Sequence, residues 1–162
     1  FPHQDGLVRR PQVRQEIVMT DSMLIGVDGS ESSQRAIGFA VAQARAAGAR
    51  VVAAYVIEWS PFTFNTPEEN EQRHRRREEE LERAHAQVLD PVVSELEAAG
   101  LEVEGVVRHG HAAEVLAGLA GEFDASQIFV GRRGQSKIAS LLFGSVAGTL
   151  VQIAPVPVTV VP

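Results

Sequence analysis

Residues 128–148, IFVGRRGQSKIASLLFGSVAG, run from a short apolar strand into two closely spaced glycines, Gly131 and Gly134, and then into Gly144-Ser145 at the start of a helical pattern. The spacing is GxxGx9G(S/T). A strand entering a glycine loop that feeds a helix is the usual place for an α/β protein to hold an anion. Gly131 and Gly134 let the backbone turn and approach a ligand with no Cβ in the way. At the next helix start, Ser145, Val146 and Ala147 present unpaired amides at the positive end of a helix dipole, worth about half a charge. The Ser145 hydroxyl adds a donor, and Arg132, Arg133 or Lys137 could reach over the loop to a terminal phosphate. For Arg132 and Arg133, solvated surface charge is an equally good reading. A glycine turn after a strand can also be only a turn; the complete spacing favours phosphate.

Upstream, the same strand–helix alternation repeats. Met23–Val27 is a short apolar run closed by Asp28-Gly29-Ser30, a buried strand stopping at a turn. Ser30 is a candidate N-cap for a helix that carries Ala36, Ile37, Ala40, Val41 and Ala44 at helical spacing and closes at Gly48. Arg50–Glu58 is apolar on both parities, as in a strand covered on both faces. Ser60–Pro67 reads as a loop. A long helix follows from Glu68 to about Ala99, charged in blocks up to Arg83, with Pro91 expected to kink or divide it. Leu101–Arg108 alternates like an edge strand, Ala112–Phe123 like a helix, and Ser145–Ile153 like another. Val156–Val161 closes as a strand flanked by prolines. Five strands and four helical segments in alternation predict an α/β fold, an open parallel sheet with helices on both faces.

The 162-residue chain suits one domain with one core. Residues 1–21 read as a tail or extension and 22–162 as the domain. A formal charge of -6 disfavours nucleic acid as a partner. The chain has no cysteine, hence no disulfide framework or thiol nucleophile. The longest apolar runs are too short to span a bilayer. The expectation is a cytoplasmic protein with no membrane partner.

The opening LIGVDGS, AYVIE at the second strand end, GHAAEVL, FVGRRG, FGSV and the closing PVTVV stand in the order of the universal stress proteins. From Met23 to Val161 the chain resembles that family's ATP-binding branch. The resemblance implies a Rossmann-like sheet of order 3-2-1-4-5 with a nucleotide across the ends of the first and fourth strands. It implies that Gly26, Val27 and Asp28 line the adenine and ribose side and that Val56 packs against the base. Val130, Gly131, Arg133 and Gly134 would meet ribose and phosphates, and Gly144, Ser145 and Val146 would hold the phosphate chain. The implied cofactor is ATP, with or without Mg2+. Ala147 departs from the hydroxyl residue common after that tripeptide. The resemblance also implies a homodimer through Val156–Val161. Pro155 and Pro157 lose amide donors on one side of that strand and leave Val156, Val158 and Val160 as donors on the other.

Other constellations are weaker. His109 and His111 flank Gly110, but no cysteine and no nearby carboxylate cluster in the sequence completes a metal site. Asp28 and Glu58 lie on different strands with a separation the sequence does not give, so no general base and no catalytic residue is assigned. Asp28 is also ordinary turn chemistry. The functional expectation is a nucleotide-dependent switch; the alternatives are a nucleotide-free dimeric interaction module and a slow ATPase. An adenylating ligase lacks support, because its paired-glycine loop would fall where this chain reads VDGSESS. The Walker and dinucleotide glycine patterns are absent.

Overall fold

The structure, a computed structural model, describes residues 21–58, 66–134 and 144–162. All of the expected tail (1–21) but Asp21, most of the Ser60–Pro67 loop and Lys137 lie outside the described residues. Five strands, β1 (Ser22–Gly26), β2 (Arg50–Glu58), β3 (Val103–Gly110), β4 (Ala125–Gly131) and β5 (Val158–Val161), form one sheet. All pairings are parallel, in the order β3-β2-β1-β4-β5. The helices are α1 (Glu31–Ala47), α2 (Pro67–Ala84), α3 (Asp90–Ala98), α4 (Ala112–Glu122) and α5 (Ser145–Ile153). The expected order and architecture are those observed.

Strand alternation divides the core into two layers. Met23, Ile25 and Val27 face one way with Val51, Ala53 and Phe129, under Ile37 and Ala40 of α1 and Leu96 of α3. Leu24 faces the other way with Val52, Ala54, Ile128 and Val130, under Leu116 of α4 and Leu150 of α5. The central strands are therefore apolar on both faces. β3 at one edge keeps Glu104 and Arg108 exposed.

Several boundaries differ from expectation; β3 runs from Val103 to Gly110 rather than from Leu101 to Arg108, and β4 begins at Ala125 rather than Ile128. Thr66 and Glu69 form a capping box with Pro67 at the first helical position, so the expected loop ends before Pro67. The long helix divides next to Pro91, as expected, and the form of the division is new. Proline has no amide to return to the preceding turn, and the backbone from His85 to Leu89 widens into a π turn in which the Asp90 amide reaches the His85 carbonyl. The last strand starts at Val158, two residues later than expected. Pro157 only accepts, from the Ile128 amide at 2.9 Å, and the ladder proper begins beyond it.

Gly48 ends α1 at φ 64°, and its amide returns to the carbonyls of Ala44 and Arg45. A Cβ at this position would meet nothing within 4 Å. Gly48→Ala should therefore lose about 1 kcal/mol of stability from backbone conformation alone, measured by equilibrium urea unfolding. An unchanged midpoint would mean that the helix does not end in this left-handed cap.

Candidate functional site

β1 is the strand at which the order reverses, with β2 on one side and β4 on the other. A cleft of about 390 Å³ opens at the carboxyl ends of these strands, where doubly wound sheets bind ligands. Its β1 side is Gly26, Val27 and Asp28, and its β2 side is Ala54 to Glu58, including Val56. Val130, Gly131 and Gly134 come from β4 and the turn after it. Gly144, Ser145, Val146 and Ala147 come from the start of α5, and Ala112 and Leu116 from α4. Ten of the eleven residues named from the sequence thus line one cavity.

The eleventh, Arg133, does not line it. Its side chain is exposed and its backbone is tied to α1: the amide donates to Ser32 Oγ at 3.4 Å, and the carbonyl accepts from Ser30 Oγ at 3.4 Å. Arg132 is also outside the lining, and its Nε is buried without a hydrogen-bond partner among the described residues.

Three helix N-termini belong to residues at or beside the cleft, and they differ in what caps them. At α1, Ser30 Oγ accepts from the Ser33 amide at 3.1 Å, and Asp28 Oδ1 accepts from the Ser30 amide at 2.9 Å. Asp28 is therefore both a turn residue and a wall of the cavity. At α4, His111 makes no side-chain cap; a carboxylate from β2 substitutes, with Glu58 Oε1 accepting from the Ala112 amide at 3.1 Å. At α5 the cap is Gly144, at φ -62° and ψ 158°, with no side-chain cap and no acidic residue in the first turn. Of the three, α5 is the one whose first turn carries no capping side chain or carboxylate among the described residues.

Two of the glycines also serve the packing of the chain itself. A Cβ on Gly131 would run into Ser32 of α1, 2.7 Å from its carbonyl carbon and 2.8 Å from its Cβ. A Cβ on Gly144 would press on the Gly134 amide at 3.2 Å and the Arg132 carbonyl at 3.3 Å. Both therefore make room for the protein's own backbone, closing the turn after β4 against α1 and α5. Gly144 N donates to the Arg132 carbonyl at 2.7 Å, which fixes the two ends of the glycine segment together. A Cβ on Gly134 would come 2.9 Å from Asp28 Oδ2, the movable end of a side chain that itself lines the cleft.

Sequence reasoning missed Ser32 and Ser33, and weighed Glu58 only as a possible general base, without a place in the binding site. Ser32 is buried; its hydroxyl donates to the Val161 carbonyl at 3.1 Å while accepting from the Arg133 amide. Ser33 lines the cleft, and its Oγ accepts from the Asp28 amide at 3.2 Å. Glu58 was findable, because it stands two residues after Val56 and so on the same face of β2. The two histidines beside Gly110 each face a carboxylate: His109 Nε2 is 3.3 Å from Glu80 Oε2, and His111 Nδ1 is 3.8 Å from Glu58 Oε2. Among the described residues, no helix is long and apolar enough to cross a membrane.

Fold and cleft define a doubly wound, Rossmann-like α/β domain with its cavity at the strand-order reversal. Within that class the chain belongs to the universal stress protein family, whose sequence profile matches residues 19–162. It is 33% identical over 144 residues to a universal stress protein of Thermus aquaticus, covering 88% of this chain and 99% of that one. It is 32% identical over 155 residues to universal stress protein Rv1996 of Mycobacterium tuberculosis, covering 86% of this chain and 47% of that one, so it spans about half of that relative. Similar solved structures include UspA of Lactobacillus plantarum, at TM-score 0.75 and 21% identity over 88% of this chain and 97% of that one. A universal stress protein in complex with cAMP superposes at TM-score 0.63 and 24% identity, over 88% and 97%. One from Archaeoglobus fulgidus in complex with dAMP does so at 0.60 and 22%, over 88% and 98%. At these identities the structural likeness bears on fold alone.

Proposed function

We propose that the cleft binds an adenine nucleotide, ATP with or without Mg2+, and that occupancy acts as a switch on the protein's associations. The observation that carries this is the unequal capping of the helix N-termini. A phosphate chain fits at the amides of Ser145, Val146 and Ala147, where no side chain competes among the described residues. It is disfavoured at the α4 end, where Glu58 already stands. A nucleotide is thereby oriented, phosphates toward α5 and base toward Val56 and Ala112. The cAMP and dAMP complexes of related proteins support an adenine ligand. The two carboxylates of the cleft, Asp28 and Glu58, each accept from a backbone amide. That favours a binder over a hydrolase, and a steady-state turnover assay separates the two.

Purified protein denatured by heat should release an adenine nucleotide identifiable by mass spectrometry. Added ATP at about a hundred times Kd should raise stability by about 2.7 kcal/mol. No released nucleotide together with no shift in melting would overturn the proposal.

The switch would act through a homodimer. Pro157 accepts from the Ile128 amide of β4 and Val161 from the Arg132 amide just after it, so strand alternation turns the backbone groups of Val158 and Val160 to the outer edge of β5. Val151 and Ile153 of α5 are 54% and 44% exposed. An open edge with apolar side chains nearby suits pairing with a second copy. Sedimentation equilibrium should give twice the chain mass; a monomer at micromolar concentration would remove this part of the proposal.

A further inference from the structure

The end of the cleft proposed for the base contains a carboxylate tied by one hydrogen bond to α4. Val56 and Glu58 share one face of β2, the face that packs toward α4, and Val56 packs against the apolar layer containing Leu116. Glu58 thus ends an apolar wall with a carboxylate. One oxygen is held: Oε1 accepts from the Ala112 amide at 3.1 Å, substituting for the side-chain cap that His111 does not provide. This bond sets where the second oxygen stands, with Oε2 3.8 Å from His111 Nδ1. Both Glu58 and Ala112 line the cleft. The phosphate-holding amides belong to α5, a different element of the lining, so Glu58 is not placed to meet phosphate.

We infer that Glu58 is the specificity-determining residue of the nucleotide site, its carboxylate accepting a hydrogen bond from the exocyclic amino group of the base. The inference rests on the proposed adenine-nucleotide site and goes beyond it by naming what reads the base. An ionised carboxylate only accepts. It favours a base that presents N–H at its rim and disfavours one that presents a carbonyl, which would set two acceptors against each other; the Glu58 side chain is 59% exposed, so a base that presents nothing loses the charge-assisted bond rather than stranding a buried charge. Its attachment to α4 gives the acceptor a fixed position, so discrimination needs no rearrangement on binding.

Glu58→Gln separates this role from helix capping. Glutamine has a single side-chain oxygen; with that oxygen kept on the Ala112 amide, the group presented to the base becomes an NH2 donor. The probes are ATP and purine riboside 5′-triphosphate, which lacks the 6-amino group, titrated calorimetrically into the full chain. Wild type should bind ATP at least about tenfold tighter than the analogue, as expected for a charge-assisted hydrogen bond, and E58Q should bring the two within about threefold. N6,N6-dimethyl-ATP, which keeps the ring but donates no hydrogen bond there, should bind wild type about tenfold more weakly than ATP, and this needs no variant. Equal binding of ATP and the analogue by wild type, or an undiminished preference in a folded E58Q, would overturn the inference while leaving the nucleotide site standing. Failure of wild type to bind either nucleotide would overturn both.

Discussion

Replacing Gly131 by valine should destabilise the fold by about 3 kcal/mol and abolish nucleotide binding with it. The effect is steric, since the Cβ would be driven into Ser32 at 2.7 Å from its carbonyl carbon, and backbone on the first turn of α1 cannot swing aside. Ser32 also bonds the Val161 carbonyl and the Arg133 amide, so pushing it away loosens β5 and the turn after β4 together. Urea unfolding and calorimetry with ATP measure the two losses. Gly134→Ala is the control. Its Cβ would meet only the Asp28 carboxylate at 2.9 Å, so stability should change by less than about 1 kcal/mol while nucleotide binding weakens. A Gly131→Val protein as stable as wild type would mean that α1 does not lie against this glycine.

The second large effect is expected at Phe129. It is fully buried on β4 between the central strand and α1, two residues before Gly131, and its ring lies 6.1 Å from that of Phe39, inclined at 52°. Phe129→Ala should cost about 3–5 kcal/mol, the sum of lost burial and the cavity left in a layer fixed by strand register. Phe129→Leu keeps most of the volume and should cost less than about 1.5 kcal/mol. Phe39 is 46% exposed, so truncating it should cost far less than truncating Phe129, although it removes the same ring pair. Chemical denaturation ranks the three. If Phe39→Ala matched Phe129→Ala, the core would not be centred on β4.

Much of this was legible in sequence because parallel strands covered on both faces are written as short apolar runs, and the chain punctuates them with Gly48, Gly100 and Gly110. The failures have local causes. The start of the last strand depends on which side of Pro157 faces β4, a matter of register. The π turn before Pro91 is one of several ways a helix can absorb a proline, and helical periodicity does not choose between them. Gly131 shows the deeper limit. Its spacing pointed to a ligand, while the space it leaves is occupied by Ser32, a contact across 99 positions of chain that no local pattern encodes. The partner of Glu58 was hidden for a related reason: the Ala112 amide belongs to a helix distant in sequence.

The capping contrast between α1, α4 and α5 could not be read from the sequence, because Glu58 reaches its helix from another strand. It is also the observation on which the proposed orientation of a nucleotide rests. The most direct test is a calorimetric titration of the full wild-type chain with ATP and Mg2+. One saturable event per chain is predicted, lost in Gly131→Val and weakened in Gly134→Ala; absence of binding at millimolar ATP would contradict the account.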